Sequence, residues 1–137
     1  MQIDEAGRVV EGVMAEARRR AVELSVAVAD ESGHLVAAGR MDGAPFGTMD
    51  VALDKAHSAA AFAAPTSRWA ASSAPGGSNW GFHAALGGRM TVYGGGLPIM
   101  RDGRLIGAVG VSGAAADVDE SCAAAGIEAA GLDTARD

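Results

Sequence analysis

Between Asp4 and about Val22, the apolar residues Val9, Val10, Val13, Ala17 and Ala21 recur three and four positions apart. That period predicts one amphipathic helix, with Asp4 as its N-cap. Leu24 to Ala29 switches to a period of two and predicts a buried strand. Asp30-Glu31-Ser32-Gly33 supplies turn residues, so His34 to Arg40 pairs back as the second strand of a hairpin. Gly43 to Thr48 forms a loop. Asp50 to Ala63 returns to helical spacing and stops before Pro65. Thr66-Ser67-Arg68 opens a short helix at Trp69, and residues 72–79 (SSAPGGSN) carry the strongest loop composition. Residues 80–86 favour neither helix nor strand.

Three strands are predicted next, at Arg89 to Tyr93, Leu97 to Arg101 and Leu105 to Val111, the last two joined by an Asp102-Gly103 turn. Asp117 and Glu120 have capping-box spacing for a final helix that ends at Gly131. The order is α-β-β-α-α-β-β-β-α. It predicts an α/β chain of the α+β kind, with a mainly antiparallel sheet of about five strands flanked by helices. No repeat or linker interrupts residues 1–137, which read as a single domain.

Composition narrows this. Aromatic residues make up only 4% of the chain, while Ala and Gly abound. The core must therefore use small side chains and closely packed backbones, and a homo-oligomer (dimer, tetramer or larger) is expected. The net charge of -6 argues against nucleic acid as a partner. Arg18-Arg19-Arg20 reads as a solvated helix face. Cys122 is the sole cysteine, so no intrachain disulfide can form. No apolar run reaches about 18 residues, so no membrane partner is expected and a cytoplasmic location is.

Candidate chemistry is spread thinly. Gly94-Gly95-Gly96 runs from strand to strand, so it is not a dinucleotide fingerprint, which needs a helix after the glycines. Ser112 in GVSGA lacks nucleophile-elbow spacing. The triple glycine is either a bend in the chain or bare backbone for a flat ligand. Ser112-Gly113 precedes a helix N-terminus that already carries Asp117, Asp119 and Glu120, which favours capping over anion binding. Lys55 is the only lysine. It is either a snorkelling surface residue or an amine in a cleft. His57 follows it by two positions, about 200° around a regular helix. His34, His57 and His83 form no zinc motif, and no metal site is expected. His83 follows the loop and sits beside Trp80 and Phe82, the best placement for meeting a bound molecule. Met41, Met49, Met90 and Met100 read as gap-filling residues. Asp42, Asp50, Asp54, Asp119 and Glu120 are acid–base candidates, Asp42 at a strand–loop junction.

Three stretches, VADESGHLVAAGRMDGA (28–44), ALDKAHSAAAFAAPT (52–66) and GGGLPIMRDGRLIGAVGVSGAAADVDESCAAAG (94–126), carry a resemblance. Their order and wording resemble the GlcG/HbpS family of haem-degrading domains, related to the C-terminal domain of PduO-type proteins. The resemblance implies a compact α/β domain that assembles into dimers or larger rings, with haem as the ligand of some members. It also implies that Lys55, Asp42 and Thr66 are pattern residues without an evident turn duty. The glycines Gly95 and Gly96 would then border a ligand-sized gap facing the middle helix and Lys55.

Two functional readings follow. In the first, the chain binds a small molecule, haem or a similar flat ligand, with His57 or His83 as axial ligand and Thr66, Gly95 and Gly96 lining the site. In the alternative, it is a cofactor-independent biosynthetic enzyme. Asp42, Lys55, His83 and Glu120 would then supply acid–base chemistry for isomerisation, condensation or cyclisation.

Overall fold

A computed structural model describes residues 1–135. The first helix, α1, spans Ile3–Arg19. Strands β1 (Ser25–Asp30) and β2 (Leu35–Arg40) form the first hairpin. Helix α2 (Gly47–Phe62) leads into a 3-10 turn at Thr66–Trp69. Two more 3-10 turns, Phe82–Ala84 and Leu86–Gly88, precede β3 (Gly96–Arg101), β4 (Arg104–Ser112) and α3 (Ala116–Ala129). The sheet order is β2-β1-β4-β3, with every neighbouring pair antiparallel. No helix of the described residues is long and apolar enough to cross a membrane.

The period of two sorts side chains by size. Val26, Val28, Val109, Val111, Leu97 and Ile99 point to one face and pack with Val9, Val13 and Ile127 of α1 and α3. Each such aliphatic side chain stabilises the fold by roughly 1.5–3 kcal/mol on full burial. The opposite face carries Ala27, Ala29, Ala108 and Gly110. Helix α2 lies on it, presenting its own buried Ala52, Ala56, Ala59 and Ala60. The approach is close: a Cβ on Gly110 would overlap the Ala52 carbonyl and come within 2.5 Å of the Ala56 nitrogen.

The sheet has four strands, not about five. Arg89 to Tyr93 alternates like a strand but pairs with none. Its hydrogen bonds go elsewhere: Ser58 Oγ donates to the Arg89 carbonyl (3.0 Å) and accepts from the Thr91 N–H (2.9 Å), while the Met90 N–H reaches the Ala85 carbonyl. The N-cap of α1 is Gln2 rather than Asp4, with the Glu5 carboxylate accepting its N–H at 3.4 Å. Helix α2 starts earlier than expected and ends at Phe62, with Ala63 in the left-handed conformation before Pro65. Helix α3 begins at Ala116. The expected Asp117/Glu120 capping box gives way to Asp119, whose Oδ1 accepts the Ala114 N–H at 2.9 Å. The Asp102-Gly103 turn forms as expected, both residues at positive φ (51° and 74°), the signature of a tight hairpin.

Candidate functional site

The expected face-to-face arrangement of α2 and the triple glycine exists, but protein atoms fill the gap. The Lys55 side chain leaves α2, crosses the Gly95 backbone and ends between the sheet and α3. It is 1% exposed. Its Nζ donates to the Val111 carbonyl (2.8 Å) and to Asp119 Oδ2 (3.0 Å), and lies 5.1 Å from the centre of the Tyr93 ring. Gly95 has φ +129°, and a Cβ there would press on Nζ and stand 2.6 Å from the Val111 carbonyl. Glycine is thus required by conformation and by space. Thr66 closes the other side: it is buried, and its Oγ1 accepts the Gly96 N–H at 2.9 Å.

Burial sets the electrostatics of this cluster. It lowers the Lys55 pKa from the ordinary lysine value, outweighing the attraction of Asp119. It raises that of Asp119 in the same way, against the pull of Lys55 and of backbone N–H groups. Lys55 and Asp119 therefore form a tie between the two helix layers, passing the end of the sheet.

The other sequence candidates scatter. Asp42 is exposed and lines a cleft with Met14, Arg18, Glu23 and Arg40, beside the C-terminal end of α1. Glu120 is half-buried on α3, and its Oε1 has no hydrogen-bond partner among the described residues. Neither reaches Lys55 by a hydrogen bond or ion pair.

The histidines do converge, around a residue the sequence reading passed over. Arg89 donates from Nε to Asp54 Oδ1 (3.0 Å), and its Nη1 meets His57 Nδ1 at 3.3 Å. A guanidinium can only donate, so His57 Nδ1 is the acceptor in this contact. Arg89 is the wall between two clefts. One, about 200 Å³, is lined by Gly33, His34, Leu35, Leu53 and Ala56. The other, about 220 Å³, is lined by Val51, Asp54, His83, Met90, Val92 and Tyr93. His83 is exposed, with the Trp80 ring 5.9 Å away edge-on. Phe62, Trp69 and Phe82 form a mutually edge-on trio, the nearest ring centres 5.1 Å apart. Of the chain's six aromatic residues, only Phe46 lies outside the segment from Phe62 to Tyr93.

The family model for HbpS-like haem-degrading proteins matches residues 1–128. An uncharacterised 15.0 kDa protein encoded between dhaT and dhaS in Citrobacter freundii is 32% identical over 123 residues, spanning 90% of this chain and 87% of the relative. The crystal structure of Klebsiella pneumoniae protein ORFY superposes with a TM-score of 0.92 at 29% identity, covering 96% of this chain and 90% of that one. A complex of PduOC with haem superposes with a TM-score of 0.92 at 27% identity, covering 98% and 97%.

Proposed function

The chain belongs to the HbpS-like family, and from that premise we propose that it is a small-molecule-binding protein taking haem or a similar flat ligand at the His83–Arg89–Tyr93 cleft. The observation that carries this reading is the cleft itself: an exposed imidazole, a half-exposed guanidinium and the apolar Val51, Met90, Val92 and Tyr93 line one concavity. The solved haem complex of a similar chain supports the ligand class. At about 220 Å³ the cleft is smaller than the ~300–1,000 Å³ usual for ligand cavities, so it suits the edge of a flat molecule.

The donor set fits haem. When bound, haem would supply an iron centre, and the His83 imidazole would be the group to hold it. His57 is the weaker candidate because Arg89 already engages its Nδ1. The enzyme reading is less well supported: Lys55 is sealed against Asp119, and Asp42 lies in a different cleft from His83. The exposed Phe46 and Leu35 support the homo-oligomer expected from the family resemblance.

Titration with hemin is expected to give a sharp Soret band that His83→Ala abolishes and His57→Ala retains. A broad band unchanged by either substitution would overturn the assignment.

A further inference from the structure

We infer that Arg89 is the residue that recognises carboxylate on the ligand, so the site selects flat apolar molecules bearing an acidic edge. This rests on the binding reading above and adds a specificity that family membership does not supply.

The backbone of Arg89 is fixed. Its carbonyl accepts Ser58 Oγ–H, and the next two residues bond back to Ala85 and Ser58. The side chain therefore springs from a set point and lines both clefts. It remains 45% exposed, in a chain whose net charge is -6. An acidic protein has little general attraction for anions, so a local cation must do the selecting. Arg89 is the cation that lines the cleft with His83 and Tyr93.

Its present carboxylate partner is replaceable, and the long 3.3 Å contact with His57 occupies Nη1 alone. Asp54 is bonded through one oxygen only, to Nε, and is itself 36% exposed. A pair so open to water contributes little net free energy. The planar fork of an arginine matches a carboxylate through two parallel bonds, which is stronger and more directional than the single contact seen here. An incoming carboxylate can thus take the fork while Asp54 keeps or yields Nε. Asp54 acts as a placeholder that orients Arg89 before the ligand arrives.

Hemin and its dimethyl ester differ only in the two carboxylates, so paired titrations of the full chain read this specificity directly. Wild type is expected to bind hemin about tenfold tighter than the ester, the scale of one hydrogen-bonded charge. Arg89→Gln should shrink that preference to within about twofold, with Arg89→Lys between the two, because lysine keeps the charge and loses the fork. Asp54→Asn should widen the preference. A preference that survives Arg89→Gln, or equal weakening of both ligands, overturns the role of Arg89 and leaves the binding site standing. If wild type binds neither hemin nor the ester, the underlying binding reading fails and this inference goes with it.

Discussion

Asp54 and Lys55 are neighbours on α2, and each closes an ion pair at 3.0 Å. There the likeness ends. Lys55 and Asp119 are 1% and 3% exposed in their side chains, whereas Arg89 and Asp54 are 45% and 36% exposed. One helical step of about 100° leaves the first residue on the water-facing side of α2 and sends the second past the end of the sheet. Equal distances therefore describe unequal interactions. The outer pair sits in high dielectric and can exchange partners. The inner pair has given up hydration and holds only what the protein provides.

The largest expected effect breaks the inner pair. Asp119→Ala strands the Lys55 ammonium among Val111, Tyr93 and Gly95, and also releases the Ala114 N–H. A loss of about 3–5 kcal/mol in denaturant-derived stability is expected. Replacing both partners, Lys55→Met with Asp119→Leu, should cost much less than Asp119→Ala, because no buried charge is left unmatched. A double variant as unstable as Asp119→Ala would mean that packing, not charge, decides this site.

The pH dependence sharpens the same point. The folded pKa of Asp119 is raised, so its proton-linked stability is fully present below its unfolded value near 3.8 and lost as pH rises through the raised value. The folded pKa of Lys55 is lowered, so its contribution is present above 10.5 and lost as pH falls through the lowered value. Between those windows neither group's shift adds stability. Relative to the double variant, wild type should therefore gain stability as pH falls toward 3.8 and as it rises toward 10.5, as read by urea midpoints across pH.

Lys55 and the hairpin at Asp102-Gly103 show how far sequence alone reaches. The turn was legible because a two-residue loop has few chemistries. Lys55 stands out as the only lysine, on an Ala-rich helix that faces the triple glycine, but its own side chain fills the ligand-sized gap expected between them. The missing element was its partner: Asp119 lies 64 residues away, and several carboxylates were equal candidates. Residues 89–93 read as a strand because alternation cannot reveal that Ser58, on another element, claims the backbone. Arg89 carried no signal, since a lone arginine acquires meaning only when folding sets His57, His83 and Asp54 around it. The pattern of small residues was clear, but which of them would permit contact and which would leave a cleft depends on the sheet's order.

A smaller effect comes from the spacing that the inner pair requires. Gly110→Ala places a methyl against the Ala52 carbonyl and the Ala56 N–H, both backbone atoms of α2 that cannot rotate away. The helix must lift from the sheet, at a cost of about 1–3 kcal/mol. Lifting α2 lengthens the reach of Lys55 to Asp119, while the Arg89–Asp54 contact lies at the rim, where exposed side chains can follow. Combined with the double variant at Lys55 and Asp119, Gly110→Ala should cost less than it does in wild type. Additive losses in that cycle, measured by denaturation, would show that the inner pair does not depend on the close approach.

Asp54→Asn is expected to move stability least, by under about 1 kcal/mol, because a pair this exposed is screened by water. Asparagine can still accept from Arg89 Nε, so the side chain keeps its place while losing its charge. Raising salt should then change wild type and the variant almost equally, since little Coulomb energy is at stake in either. A loss above about 2 kcal/mol would erase the distinction between the two pairs and make Arg89 a structural cation like Lys55. A near-zero loss leaves Arg89 cheap to displace, which is the property a cation needs if it is to exchange a protein carboxylate for one on a ligand.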